Sequence, residues 1–377
     1  MFARLKTFFN KHVEFSPERL ESDQVFRIVV ALLLIFGLIM LASASSVMAY
    51  NSYHDTYYFF KKQFISVVIG VAAFWFFSKI NYRRLRLFAL PFLIFSIVLL
   101  LLVFIPGLGR VVNGSKSWLN IFGFSVQPAE LVKFTFIIYL AALFEKSEET
   151  AKRFWSFLIL YGALAILMLL QPDIGTLSIL TLTSFALYYV GGGKMKHILI
   201  CAAIGVLGLF ILVRLPNQSY RLDRFRCFVD SSRDTGSACY QINQSLIAVG
   251  SGGIFGKGLG ESRQKFLYLP EVQNDFIFSI IAEETGLVGS TIVIILFVLI
   301  FYRGWVIARR LSDPYGRNIV VGVIVWVTGQ AVLNIGGVTN FLPMTGVPLP
   351  LISYGGTAII AALAGLGIVS SASRYVK

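Results

Sequence analysis

The chain has 377 residues, of which 56% are hydrophobic and 14% are charged, and its formal net charge at pH 7 is +14. Soluble domains carry roughly 25% charged residues, so the composition excludes an ordinary soluble enzyme. The mean hydropathy of +0.76 indicates a polytopic membrane protein. The chain contains no soluble domain in which basic and aromatic residues alternate, which argues against nucleic acid as a partner.

Apolar runs long enough to cross a bilayer, about 20 residues each, recur along the chain. The predicted spans are 26–46, 64–79, 87–106, 127–144, 154–171, 175–191, 197–213, 276–302, 319–341 and 353–373. The sequence therefore predicts an all-α integral membrane protein, a bundle of about ten transmembrane helices. Residues 1–25 form a tail and residues 26–377 a single membrane domain, with a large loop at 214–275 between spans seven and eight.

The basic residues of the short loops predict the orientation. With the N-terminus inside, the cytoplasmic tails and loops hold 20 Lys and Arg, and the opposite short loops hold 4. Both termini are therefore predicted to be cytoplasmic and the loop after Arg214 extracytoplasmic. This asymmetry accounts for most of the positive net charge.

Two of the three cysteines, Cys227 and Cys239, fall in the predicted external loop. In an oxidising compartment they could form a disulfide, and two unpaired thiols are the alternative. The three histidines are scattered, and no spacing matches a metal site. The sequence therefore predicts no cofactor and shows no site for a divalent cation, although it leaves a cation requirement open.

Three charged residues fall at or inside predicted span ends. Glu130 and Lys133, in QPAELVKF, lie three residues apart on one helix face. Charges at this depth are costly unless they are paired or face water, so a structural ion pair and a polar wall of a substrate cavity are both consistent with the pattern. Asp173, in QPDIGT, is placed to cap the helix that follows it.

The most polar stretch between spans is 240–286, where Asp275 immediately precedes an apolar run. By position alone, Asp275 is an N-cap. However, the same external segment carries cations and six glycines: Arg221, Arg224, Arg226, Lys257, Arg263 and Lys265, with Gly250, Gly252, Gly253, Gly256, Gly258 and Gly260. A basic, glycine-rich cup beside a carboxylate suits an anionic, phosphate-bearing substrate with a general base nearby. The order GxxxxGK[ST] is absent, which argues against a nucleotide.

Three neighbouring features have simpler expectations. Glu283 and Glu284 lie about 12 Å further along the helix than Asp275 and on different faces, so at most one is expected to share its cavity. Residues 107–127 are predicted to form a loop on the membrane surface. Residues 336–357, with three prolines, are predicted to form a re-entrant or broken segment at the outer face.

These motifs resemble the SEDS family (shape, elongation, division and sporulation), with greatest similarity to its FtsW division branch. The resemblance covers nearly the whole chain. It rests on QPAELVKF at 127–134, QPDIGT at 171–176, YQINQSLIAVGSGGIFGKGLGESRQKFLYLPE at 240–271, DFIFSIIAEETGLVG at 275–289 and NIGGVTNFLPMTGVPLPLISYGGT at 334–357.

The resemblance implies a ten-span peptidoglycan glycosyltransferase of the bacterial cytoplasmic membrane, at the division septum. Such an enzyme polymerises lipid II, an undecaprenyl-diphosphate-linked disaccharide-pentapeptide, at the outer face. Its implied partners are a class B penicillin-binding protein transpeptidase and other division proteins. The catalytic aspartate of the family falls on Asp275, its loop tryptophan on Trp118, and its fourth-span acid and base on Glu130 and Lys133. The remaining predicted substrate-binding residues are Lys116, Arg221, Lys257, Arg263, Gln264, Lys265 and Glu271.

The chain departs from the family pattern in three places. Gln273-Asn274 replaces the usual His-Thr before the aspartate, Lys116-Ser117 replaces an Arg-Arg pair, and Asp230-Ser231 replaces an Asp-Pro. Two other functions stay open at this point, a lipid II flippase and a non-catalytic division scaffold. A flippase needs a polar route through the whole bilayer, whereas the polar residues predicted here lie near one face.

Overall fold

A computed structural model describes residues 21–376, apart from 113–114, 122–123, 146–149, 215–226 and 229–235. The predicted tail therefore lies almost wholly outside the described residues, as does Arg221.

Most described residues are helical. The helices are α1 Gln24–Tyr53, α2 Tyr58–Lys79, α3 Leu85–Leu102, α4 Pro128–Leu143, α5 Thr150–Leu170, α6 Ile174–Val190, α7 Met195–Arg214, α8 Gly236–Ser251, α9 Ile277–Arg310, α10 Pro314–Val338 and α11 Gly356–Ala372. Short 3-10 turns at Tyr82–Arg84 and Ser373–Tyr375 precede α3 and follow α11.

Among the described residues, seven helices are long and apolar enough to cross a membrane. They are α1, α2, α3 with its preceding 3-10 turn, α5, α9, α10 and α11 with its following turn. Helices α4 and α6 coincide with predicted spans but have only 16 and 17 residues. The polytopic helical architecture is confirmed, and the count of ten spans stays a prediction.

The centre of the bundle is formed by α10 and α11, whose residues are mostly buried. The outer helices α2 and α5 expose apolar side chains such as Phe76, Trp155 and Ile159. In a soluble protein such faces would be unfavourable, whereas lipid tails are a suitable solvent for them. Two aspartates cap the helices at one end of the bundle: Asp23 accepts from Phe26 N and Asp313 from Gly316 N.

Residues 107–127 form more than the expected surface loop. They contain a three-stranded antiparallel sheet, β1 Gly109–Val112, β2 Ser115–Ile121 and β3 Phe124–Val126. In β2, Ser117 and Leu119 point inward and are buried, as the period of two in a strand requires. The all-α prediction is wrong at this point, because the glycines and polar residues that suggested a loop hide a short alternating pattern.

Helix α9 is interrupted at Gly286, whose φ of 66° and ψ of −163° are not helical. Residues 252–265, the part of the loop after α8 that is here called the glycine-rich loop, accept the backbone hydrogen bonds that the break leaves open. Leu287 N donates to Gly253 O (2.9 Å) and Val288 N to Ile254 O (3.1 Å). Backbone groups freed inside a membrane helix must find partners within the protein, and here the glycine-rich loop provides them.

Cys227 and Cys239, the two cysteines of the predicted external loop, are joined. Cys227 and Cys239 form a disulfide with their Cα atoms 5.2 Å apart, and both residues are buried. This decides between the two alternatives that the sequence left open.

The close approach of the glycine-rich loop to α9 gives a stability prediction. A Cβ added at Gly252 would lie 2.0 Å from Ala282 O, whereas one at Gly250 would meet nothing within 4 Å. We expect Gly252→Ala to lower stability by about 1–3 kcal/mol through overpacking. The matched Gly250→Ala change, in α8, should be neutral or slightly stabilising. Thermal unfolding in detergent measures both, and equal midpoints would contradict the packing.

The disulfide predicts the thiol count. The chain has three cysteines, of which only Cys201 is free. Protein purified from native membranes and denatured without reductant should incorporate one alkylating label per chain, and three after reduction. Mass spectrometry of the labelled peptides reads the result, and three labels before reduction would contradict the bond.

Candidate active site

The backbone around Asp275 is held by three consecutive carbonyl groups. Gln273 O accepts from Tyr354 N (2.8 Å), Asn274 O from Ser353 Oγ (2.6 Å), and Asp275 O from Asn334 Nδ2 (2.8 Å). The donors come from α10 and from residues 340–355, here called the proline-rich segment. The half-buried Asp275 therefore sits on a rigid backbone where two parts of the fold meet.

Asp275 is not the N-cap of α9, contrary to the expectation from its position. The cap residue is Phe276, which makes no side-chain capping hydrogen bond. The physical reason is that the helix begins at Ile277, one residue later than it would if Asp275 were the cap.

The two residues that depart from the family pattern support their neighbour Glu271. Asn274 Nδ2 donates to Glu271 Oε2 at 2.5 Å, and Gln273 Nε2 donates to the same oxygen at 3.5 Å. Glu271 itself has a φ of 53°, in the left-handed region that is unfavourable for a residue with a Cβ. Its carboxylate thus helps to hold the turn that leads to Asp275.

Glu130 and Lys133 form the predicted ion pair in α4. Lys133 Nζ lies 2.8 Å from Glu130 Oε1, with both side chains at most 3% exposed. Lys133 also donates to Gln330 Oε1 (2.9 Å) and lies over the ring of Trp326. Glu130 Oε2 has no hydrogen-bond partner in the described part of the chain, and Glu130 lines a cleft that also contacts the proline-rich segment. The predicted ion pair is therefore present, and the role of Glu130 and Lys133 in a substrate cavity stays a prediction.

Two lysines that were predicted to bind the substrate instead form ion pairs with glutamates of α9. Lys257 Nζ lies 2.6 Å from Glu283 Oε1, and Lys265 Nζ lies 3.1 Å from Glu284 Oε1. Both carboxylates are fully buried, so these lysines compensate buried charge. Their role as substrate ligands stays a prediction, and the structure gives each of them a structural role.

Glu283 and Glu284 share one cluster although they point to different sides of the helix. Ser262 donates through Oγ to Glu283 Oε2 (2.5 Å) and through N to Glu284 Oε1 (3.4 Å). Ser43 Oγ, from α1, adds a bond of 2.8 Å to Glu284. The two glutamates thus clamp the glycine-rich loop from both sides, and this loop lies about 12 Å along α9 from Asp275.

The other predicted site residues are spread around this core. Arg263 is exposed, and within the described residues it forms no side-chain ion pair. Gln264 is buried, and its Oε1 has no partner in the same part of the chain. Trp118 lies in β2 opposite Arg110, and Lys116 Nζ donates to Phe104 O (3.2 Å).

The structure brings the Asp275 backbone and the Glu130–Lys133 pair to one shared support, the proline-rich segment and α10. The residues that connect them, which were not predicted from the sequence, are Gln330, Asn334 and Ser353. A signal was available for two of these, since Gln330 and Asn334 are amide side chains inside a predicted span, where polar groups are expected to bond to other parts of the protein. Within the described residues, no group of three or more His, Cys, Asp or Glu is placed to hold a metal ion.

Comparison with known proteins agrees with these features. The profile of the FtsW/RodA/SpoVE cell cycle protein family matches residues 23–377. This chain belongs to that family. Stage V sporulation protein E of Bacillus subtilis is 38% identical over 367 residues, covering 96% of this chain and 100% of the relative. A probable peptidoglycan glycosyltransferase FtsW of Geobacter metallireducens is 37% identical over 359 residues, covering 94% and 95%.

Solved structures share the fold. A chain from a peptidoglycan synthase complex, described as coordinating polymerization and crosslinking, superposes with a TM-score of 0.77 and 26% identity, covering 94% of this chain and 98% of that one. The crystal structure of the rod shape determining protein RodA of Thermus thermophilus gives a TM-score of 0.69 and 27% identity, covering 95% and 99%. The membership of the SEDS family that the motifs predicted is confirmed.

The buried ion pairs lead to a prediction that separates the two lysines. Lys265 is 5% exposed and Lys257 29% exposed. We expect Lys265→Met to cost about 3–5 kcal/mol, because it leaves Glu284 charged and buried. Lys257→Met should cost less, about 1–2 kcal/mol, because Ser262 Oγ and the backbone N–H groups of Arg263 and Gln264 still donate to the buried Glu283.

The double change Lys265→Met with Glu284→Gln should recover part of the loss, since it removes the stranded charge. Thermal unfolding of the purified variants measures all three. Equal losses for the two lysines would contradict the greater dependence of Glu284 on its lysine.

Proposed function

We propose that this protein is a peptidoglycan glycosyltransferase that polymerises lipid II, with Asp275 as the general base. The observation that carries the proposal is the carboxylate of Asp275 on a backbone fixed at three successive carbonyls. Relatives named peptidoglycan glycosyltransferase, aligned over more than nine-tenths of this chain, support the reaction class.

The chemistry needs one base. A hydroxyl of the acceptor sugar attacks the anomeric carbon of the donor sugar, and its proton passes to the Asp275 carboxylate. The bond from the anomeric carbon to the diphosphate oxygen breaks, and the electron pair leaves with undecaprenyl diphosphate. A diphosphate is a good leaving group that cations stabilise without a general acid. Arg263, in the loop after α8, is exposed and forms no ion pair with another described residue, which makes it a better candidate for this role than Lys257 or Lys265.

The position of the site supports catalysis at the outer face. Asn334, which binds Asp275 O, lies 21 residues beyond the cap Asp313. That separation is about 30 Å along a helix, the thickness of a hydrocarbon core. The end of α10 near Asp313 carries Arg317, and the preceding helix α9 ends in Arg309 and Arg310, so the positive-inside rule assigns this end to the cytoplasm. Both termini are accordingly proposed to be cytoplasmic and Asp275 extracytoplasmic.

The proposed partner is a class B penicillin-binding protein transpeptidase at the division septum. The likeness to a chain of a peptidoglycan synthase complex supports such a pairing. We propose no resident cofactor.

The base is tested by polymerisation of labelled lipid II with the purified protein and its transpeptidase partner. We expect Asp275→Asn to lower the rate on the order of 10²–10⁴-fold, the usual loss for a general base. The control is Asp55→Asn, in the turn between α1 and α2. A hydrogen bond from Lys61 lowers the pKa of Asp55, so this variant also removes an ionised carboxylate and should keep the wild-type rate.

Glycan products separated by gel electrophoresis report the result. Equal polymer from wild type and Asp275→Asn would refute the base assignment. No polymer from either, together with lipid II translocation in vesicles, would favour the flippase over the polymerase.

A further inference from the structure

The side chain of Asn334 bridges two separate parts of the fold. It is 4% exposed and lies in α10. Its Nδ2 donates to Asp275 O (2.8 Å) and to Val347 O (2.7 Å). A carboxamide nitrogen carries two hydrogens, so both are used, one for the backbone of Asp275 and one for the proline-rich segment.

Gln330 repeats this arrangement one turn earlier on the same face of α10. Its Nε2 donates to Pro348 O (2.8 Å), the carbonyl adjacent to that of Val347. Its Oε1 accepts from Lys133 Nζ (2.9 Å) and Trp326 Nε1 (3.2 Å). Two amides on one helix face thus bind two consecutive carbonyls and connect them to Asp275 on one side and to the Glu130–Lys133 pair on the other.

We infer that Asn334 is a positioning residue, which fixes the Asp275 backbone in register with the Glu130–Lys133 pair through Gln330 and the proline-rich segment. Its catalytic consequence depends on the function proposed above, whereas its structural consequence does not. Asn334 acts through Asp275.

The effect should be large because the bridge has no substitute in α10. Asn334→Ala removes a donor from two carbonyls, and the backbone freed beside this buried side chain shifts to find new partners. A displacement of about 1 Å at a reacting group can cost on the order of 10²-fold in rate. Asn334→Asp keeps the size of the side chain but cannot donate when ionised, so it should not rescue.

Asn318 provides a matched control. It is also a buried asparagine of α10, 1% exposed, and neither of its amide atoms has a hydrogen-bond partner in the described part of the chain. It lies near the capped end of the helix, 16 residues before Asn334. Asn318→Ala therefore tests the cost of truncating a buried amide without touching the bridge.

The first experiment is steady-state polymerisation of labelled lipid II with the partner transpeptidase present. We expect Asn334→Ala and Asn334→Asp to lower kcat roughly 10–100-fold while KM for lipid II stays unchanged, the signature of an interaction needed in the transition state. Asn318→Ala should keep the wild-type kcat. An unchanged kcat for Asn334→Ala beside an active wild type overturns the inference and leaves the proposed function standing.

The second experiment needs no activity. Hydrogen–deuterium exchange of the full chain in detergent should show faster exchange over residues 271–279 and 343–355 in Asn334→Ala, and wild-type exchange there in Asn318→Ala. Unchanged exchange at both segments in Asn334→Ala overturns the inference. If the wild type makes no polymer, the proposed function fails and the exchange result alone decides whether Asn334 holds the two segments together.

Discussion

A non-helical stretch of backbone buried among membrane helices must satisfy its polar groups within the protein, and much of this structure follows from that requirement. The proline-rich segment receives donors from Gln330 and Asn334 of α10 and from Gln63 of α2, whose amide donates to Ser353 O (3.0 Å) and accepts from Gly355 N (3.1 Å). The segment in turn donates to the backbone of Gln273 and Asn274. The candidate base is therefore held by a layer of irregular chain that the helices themselves keep in place.

A second irregular element, the loop after α8, follows the same rule by different means. Its backbone carbonyls accept hydrogen bonds from the residues that follow the break at Gly286, and its lysines neutralise two buried carboxylates of α9. Buried ion pairs contribute little net stability but are costly to break. Lys257 and Lys265, which the sequence predicted as ligands for an anionic substrate, thus hold this loop against the helix.

Much of the helical architecture could be predicted from the sequence, because apolar runs of span length have few alternatives. The ion pair of Glu130 and Lys133 was also predictable, since residues three apart share a helix face, and so was Asp173 as a cap, which accepts from Thr176 N (3.0 Å). The cap at Phe276, the strands around Trp118 and the pairing of Lys257 with Glu283 were not. Each of these depends on contacts between residues distant in sequence or on a one-residue shift of a helix start. Cations and carboxylates read along the chain do not reveal which of them will neutralise each other.

The three prolines of the proline-rich segment, Pro343, Pro348 and Pro350, have a second effect besides preventing α10 from continuing. A proline has a carbonyl but no N–H, so this stretch contains more acceptors than donors. Amide side chains on the neighbouring helices supply the complementary donors, and Gln330 reaches the carbonyl of one of these prolines directly. The rigid ring and the missing hydrogen thus let a bent peptide cross an apolar interior with few donors to satisfy. The prolines lower the number of backbone donors in the segment, and the asparagine and glutamine of α10 donate to its carbonyls, so together they satisfy the backbone where water is absent.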